Sequence, residues 1–328
     1  MKKVILTGDR PTGKLHLGHY VGSLKNRIKM QDEYDCYFII ADYQVLTDHL
    51  SNTKEIEKNI KEIALDYLSV GIDPKKSAIF IESQIPEIAQ LDLLFSMMTT
   101  FNRVKRNPTV KDEIKTAGIK QASLGFVSWP ITQAADILSV RADVVPVGKD
   151  QVPHVELTRE VARAFNNKFK KVFSLPKALI GETPILPGLD GQKMSKSRNN
   201  AIYLSDSKKQ VEEKVIKAVT DPQKIHLTDK GHPETCNIYH YYKAFFPEKA
   251  KEIKGLCKAG EIGCVDCKKQ LAQMLNEFLE PIRAKRKEFE KKPGIIKEIL
   301  EQGRIKTQTR AKETLALVKE AMGMEYNI

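Results

Sequence analysis

Val4-Ile5-Leu6-Thr7-Gly8-Asp9-Arg10-Pro11-Thr12-Gly13, continued directly by Lys14-Leu15-His16-Leu17-Gly18-His19, is the stretch from which the rest of the chain is read. Val4-Ile5-Leu6 is a short apolar run of the kind that sits centrally in a parallel sheet. A loop with two glycines and a proline ends it, and a helix is expected to follow. In open α/β sheets ligands bind outside the carboxyl ends of the strands, where such loops lead into helix N-termini. Gly8 and Gly13 let the backbone approach a phosphate, and the free N–H groups and positive dipole end of the helix favour an anion there. His16 and His19 are three apart, on one side of a helical turn. Gly18 between them leaves room for a ribose or adenine ring.

Working outward, Tyr37-Phe38-Ile39-Ile40-Ala41, Ala78-Ile79-Phe80-Ile81 and Val144-Val145-Pro146-Val147 are further apolar runs of strand length. Between them, residues 53–70 place Ile56, Ile60, Ile63, Ala64, Tyr67 and Leu68 at helical spacing, with Gly71 set to end the helix. This βαβ pattern predicts an α/β fold, a Rossmann-like doubly wound parallel sheet. After about Pro187 the strand signals fade. Residues 205–219, 268–291 and 304–322 read as amphipathic helices rich in Lys, Glu and Leu, interrupted by Pro293-Gly294. The expected organisation is a catalytic domain over 1–187 and a smaller all-helical domain over 188–303, with the helix of 304–328 packing back on the first.

A second short stretch, Lys193-Met194-Ser195-Lys196-Ser197, lies in a loop with glycines at 188 and 191 that give it room to close. Together with His16-Leu17-Gly18-His19 it resembles the paired signatures of class I aminoacyl-tRNA synthetases. Ser128-Trp129-Pro130-Ile131-Thr132-Gln133-Ala134-Ala135-Asp136-Ile137-Leu138, Val147-Gly148-Lys149-Asp150-Gln151-Val152-Pro153-His154-Val155-Glu156 and Arg103-Val104-Lys105-Arg106-Asn107-Pro108-Thr109 resemble the bacterial tryptophanyl branch. The likeness covers nearly the whole chain.

That resemblance implies a tryptophan–tRNA ligase: L-tryptophan and ATP form an adenylate and pyrophosphate, and the adenylate acylates tRNA(Trp). It implies ATP contacts from Arg10, Pro11, Thr12, Gly18, His19, Gly148, Lys149, Asp150, Leu186, Lys193, Met194, Ser195, Lys196 and Ser197. His16, His19, Lys193 and Lys196 would be the catalytic groups, the lysines neutralising charge on the leaving pyrophosphate. Mg2+ is expected to travel with ATP. Tryptophan would meet Trp129, Gln133, Asp136 and Gln151. Helical spacing sets the first three on adjacent turns of one face. Asp136 would accept the indole N–H, the one polar handle of an apolar substrate. Trp129 stands where many relatives carry Tyr, and Gln44 where many carry His. A homodimer is implied as well.

The balance of 54 Lys and Arg against 42 Asp and Glu, a formal +12, suits a polyanionic partner such as nucleic acid. No apolar run reaches the roughly 20 residues of a bilayer span, and none near the N-terminus makes a signal-peptide core. A cytoplasmic protein without a membrane partner is expected. Cys236, Cys257, Cys264 and Cys267 are spaced Cys-x20-Cys-x6-Cys-x2-Cys, which argues for a local metal site over a secreted disulfide scaffold. Four thiolates suit tetrahedral zinc or an iron–sulfur cluster, and the resemblance implies the subset of bacterial enzymes with a 4Fe–4S cluster in the helical domain. Two rivals stand beside this reading: tyrosyl-tRNA ligation on the same scaffold, and a non-catalytic tRNA-binding protein derived from it.

Overall fold

The computed structural model describes residues 2–47, 50–116, 118–181, 186–196 and 198–326. Five parallel strands, β1 (Val4–Asp9), β2 (Asp35–Ile40), β3 (Ser77–Ile81), β4 (Val144–Val147) and β5 (Lys177–Ile180), form one sheet in the order β3-β2-β1-β4-β5. β1 pairs with β2 in register from Val4 opposite Asp35 to Asp9 opposite Ile40. The strand order reverses between β1 and β4, the switch point at which doubly wound sheets open a crevice. β5 is the one strand absent from the sequence reading. Its residues Lys177-Ala178-Leu179-Ile180 are largely exposed, so they carry no buried apolar run.

Successive strand side chains point to opposite faces, so a sheet covered on both sides needs unbroken apolar runs. Val4, Leu6, Tyr37 and Ile39 enter one core with the helices Pro86–Ser96, Leu124–Ser139 and Val152–Lys168. Ile5, Cys36, Phe38 and Ile40 enter the other with the helix Ile56–Val70 and the helical second half of the chain. Gly71 ends Ile56–Val70 in the left-handed conformation, φ 110°, as its position after the last apolar residue predicts.

The second half is helical: Lys208–Lys217, Asn237–Phe245, Pro247–Ala259, Cys264–Glu290 and Ile295–Ala321. Ser207 and Gln210 form a reciprocal capping box that starts the first of these. The Cys264–Glu290 helix begins four residues before the expected start at 268, so that Cys264 and Cys267 sit in its first turn. The last helix starts directly after Gly294 rather than at 304, and it runs along the edge of the sheet. Ile299 and Leu300 join one core while Ala311, Leu315 and Val318 join the other. Gly303 makes this possible, because a Cβ there would lie 1.8 Å from the Ile79 carbonyl oxygen of β3. No helix among the described residues is long and apolar enough to cross a membrane.

Candidate active site

A cavity of about 670 Å³ opens at the switch point, within the range of small-molecule sites. Its floor is the carboxyl end of β1, from Leu6 to Asp9, and of β4, from Val145 to Val147. Arg10, Thr12, His19, Trp129, Gln133, Asp136, Gly148, Gln151 and Lys196 all line it, as does Gln44.

The two signature peptides meet at one end. Leu15 and Leu17 pair with the segment after the second signature, Leu17 N donating to Ile202 O at 2.9 Å and Leu204 N to Leu15 O at 3.0 Å. The His16 and His19 rings lie 3.8 Å apart between centroids. The backbone N–H of His16 donates to His19 Nδ1 at 3.2 Å, which leaves the neutral ring's proton on Nε2, free to donate outward. Burial is the main cause that pulls the pKa of His16 down to about 3 and of His19 to about 4, with the Lys196 charge adding to both. At neutral pH both are neutral donors, and the local positive charge comes from elsewhere. A Cβ on Gly18 would lie 2.9 Å from His16 Nδ1 and 3.2 Å from Met194 Sδ. The bare Cα therefore lets the two signatures pack against each other on that side.

Lys196 supplies the charge. Its Nζ donates to Gly13 O at 2.7 Å and to Thr12 Oγ1 at 3.1 Å. Burial pulls its pKa down to about 8, with Asp9 and Asp66 opposing that and Arg10 adding to it.

Beneath this end lies a buried group that sequence reasoning missed. Arg27 donates to Asp9 Oδ2 at 2.7 Å, to Tyr67 Oη at 2.8 Å and to Gly8 O at 3.0 Å, and Tyr67 Oη donates to the same Asp9 oxygen at 2.6 Å. Burial raises the Asp9 carboxyl, but Arg27, His19 and the Tyr67 hydroxyl outweigh it and hold the pKa at about 2. The signal available in the sequence was an arginine in the midst of a helix with core-facing neighbours.

The opposite wall is the helix Leu124–Ser139, whose N-terminus is capped by Ser123 Oγ accepting from Phe126 N at 3.1 Å. Trp129 Nε1, Gln133 Oε1 and Asp136 Oδ1 are buried along it, and none has a hydrogen-bond partner among the described residues. Buried polar groups are nearly always paired, so three unpaired atoms on one helix face mark where a polar ligand fits. Burial pushes the Asp136 carboxyl well above the usual carboxylate range, and Asp92 and Asp42 push it further.

Other expected residues lie outside the lining. Pro11, Leu186 and Met194 are buried, while Lys149, Asp150 and Lys193 are exposed. Asp150 Oδ2 accepts from Gln151 Nε2 at 3.1 Å, and Ser195 N donates to Asn200 Oδ1 at 2.8 Å. Ser197 falls outside the described residues. His154 is buried, with its Nδ1 3.5 Å from Asn107 Nδ2, away from the cavity.

The four cysteines draw near one another but do not form a ligating group. Cys267 is pushed up to about 12 by burial and by Cys236, Cys257 and Cys264. Burial and its neighbours raise Cys257 too. Among the described residues no three His, Cys, Asp or Glu side chains could hold a metal ion. The expected metal centre is not met by this side-chain arrangement.

Residues 2–280 match the family of class I tRNA synthetases for tryptophan and tyrosine (W and Y). The chain belongs to that family. It is 46% identical to the tryptophan–tRNA ligase of Chlamydia caviae, over 98% of this chain and 96% of that one. Identity to the corresponding ligase of Streptococcus pneumoniae serotype 4 is 46%, over 99% of both. A crystal structure of tryptophanyl-tRNA synthetase from Campylobacter jejuni, complexed with ADP and tryptophan, aligns with TM-score 0.88 at 35% identity over 98% of this chain and 99% of that one. A tyrosyl-tRNA synthetase from Archaeoglobus fulgidus aligns at TM-score 0.69 and 24% identity, a likeness of fold alone. Within the family, the full-length similarity thus lies with the tryptophan enzymes.

Proposed function

We propose that this protein is a tryptophan–tRNA ligase and that the cavity between β1 and β4 holds its ATP and tryptophan. One observation carries the reading. His19 of the histidine signature and Lys196 close one end of a cavity whose far wall presents the unpartnered Oδ1 of Asp136. A tryptophan carboxylate oxygen attacks the α-phosphorus of ATP, the new O–P bond forms as the bond to pyrophosphate breaks, and pyrophosphate leaves with the electron pair. Neutral His16 and His19 donate to phosphate oxygens, and Lys196 offsets the charge that grows on the leaving group. No covalent enzyme intermediate is needed, and positioning does the rest. Mg2+ enters with the nucleotide phosphates.

Asp136 accepts the indole N–H. A site built around such a bond rejects analogues lacking it by roughly 10⁴ to 10⁵, because the acceptor is left unpaired. The test is tryptophan-dependent exchange of pyrophosphate into ATP without tRNA, run beside tyrosine. Exchange with tryptophan alone is expected; exchange with tyrosine moves the mechanism to that substrate, and none with either defeats the enzymatic reading.

Three further elements belong to this reading. The helical second half meets tRNA(Trp), favoured by the chain's net charge of +12. Leu93, Met97, Phe101 and Leu124 stand exposed around the helices Pro86–Ser96 and Leu124–Ser139, a patch that a second copy would cover in a homodimer. The four cysteines hold a 4Fe–4S cluster, or zinc, a reading supported by their spacing. Such a centre requires the sulfurs to deprotonate and draw together. Iron and zinc content of protein purified without oxygen decides it.

A further inference from the structure

We propose that Asp66 is a positioning residue for the Leu15–His16 backbone and that Arg286 holds it there, so that the Cys264–Glu290 helix of the second half sets the position of the histidine signature. The inference rests on reading that signature as the ATP site.

Asp66 lies on the inward face of the helix Ile56–Val70, among Ile63, Ala64 and Tyr67, and is 1% exposed. A carboxylate in that stripe needs partners for both oxygens. Oδ2 accepts the backbone N–H of Leu15 at 2.7 Å, one residue before His16. Oδ1 accepts Arg286 Nη1 at 2.6 Å. The guanidinium is itself clamped, with Nη2 2.5 Å from Glu62 Oε2 and Nε 2.9 Å from Glu290 Oε1. Burial pushes Asp66 up to about 6 against the pull of Arg286 and the Leu15 N–H. The carboxylate is therefore charged at neutral pH largely because Arg286 stands beside it.

A second attachment of the same helix runs in parallel. Tyr20, directly after His19, packs edge-on to Phe278 at 5.1 Å and stacks on Phe245 at 6.2 Å. The signature peptide is thus gripped by the Cys264–Glu290 helix on both sides, through Asp66 before His16 and through Tyr20 after His19. That helix is about 40 Å long at 1.5 Å per residue, and Cys264 and Cys267 sit at its other end.

The test is backbone amide exchange on the full-length protein, read at Leu15, for wild type, Arg286→Gln and Arg286→Lys, together with steady-state kinetics of pyrophosphate exchange. For Arg286→Gln we expect Leu15 to exchange about tenfold faster while the β1 amides keep their protection, as follows from weakening one charge-assisted hydrogen bond. The ATP KM should rise or kcat fall by a similar factor, with the tryptophan KM held within about twofold. Arg286→Lys keeps one ion pair to Asp66 and should recover part of both. Unchanged protection at Leu15, acceleration spread evenly over the sheet, or a tryptophan KM that moves with kcat overturns the proposal. If Arg286→Gln does not fold, Glu62→Gln removes one arm of the clamp and should move Leu15 in the same direction by less; no movement overturns the proposal equally. The amide measurement needs no turnover, so an inactive wild type would defeat the functional reading while leaving this one to be judged.

Discussion

The ammonium of Lys196 donates to the carbonyl oxygen of Gly13 at 2.7 Å, joining the second signature to the loop that precedes the first. The contact places a positive charge over the N-terminus of the histidine peptide, where the imidazoles themselves are neutral. Replacing Lys196 with Ala is expected to slow adenylate formation by about 10² to 10³, with tryptophan affinity within about twofold. Single-turnover kinetics beside calorimetric titration separate the two. Equal loss in both would remove Lys196 from the transition state.

Lys196 also fixes a pH dependence. Its pKa is pulled down to about 8, so the cation is present below that pH and is lost as pH rises through it. The kcat/KM for ATP, which reports the free enzyme, should therefore fall above about pH 8. Lys196→Arg should move that limb out of the accessible range, since a guanidinium stays charged. A limb that stays near 8 in the Arg variant belongs to another group.

Asp136→Leu should raise the tryptophan KM by about 10- to 100-fold, the worth of a hydrogen bond to a charged or strongly polar group, with the ATP KM little changed. Asp136→Asn keeps an acceptor and should cost less. Calorimetric titration with tryptophan and with analogues lacking the indole N–H checks this: the analogues should bind Asp136→Leu more tightly than wild type, because the variant leaves no buried acceptor unpaired.

The strands and the order of elements were legible because a sheet buried on both faces leaves continuous apolar runs, which Val4-Ile5-Leu6 and Tyr37-Phe38-Ile39-Ile40 display. β5, exposed along most of its length, leaves none. The histidine and lysine signatures were legible as local words. Asp9 with Arg27, and Asp66 with Arg286, were not, because each pair is assembled from positions far apart in sequence. Their trace was a charged residue inside an apolar helical stripe, which periodicity alone treats as noise. The closeness of Met194 to Gly18 was not legible for a related reason: the fold brings the second signature there.

Asp9 should be measurable as a stability term. Its folded pKa of about 2 lies below the ordinary aspartate value of 3.8. Its contribution is complete above about pH 4 and is lost as pH falls through about 2. The shift corresponds to about 2 kcal/mol, and Asp9→Asn should cost somewhat more at pH 7 because Arg27 is then buried without its counter-charge. Denaturant unfolding at pH 7 and at pH 2.5 should show the gap between wild type and variant narrowing in acid. A gap independent of pH would mean the loss is one of packing.

The exposed patch offers the last prediction. Met97→Glu combined with Phe101→Glu should give a monomer by sedimentation at micromolar concentration, while wild type sediments as a dimer. A wild type that is already monomeric removes the patch as an interface between copies.

The close fit of Gly303 against β3 bears on how the chain is made. The strand is complete at Ile81, and the helix that shields its outer edge begins only at Ile295. At translation rates of about 5 to 20 residues per second, the nascent sheet carries an open edge for on the order of ten seconds or more. Until its last helix leaves the ribosome, this protein is a template for strand addition, and any interruption of synthesis short of that point should yield chains that associate through β3 rather than chains that are merely incomplete.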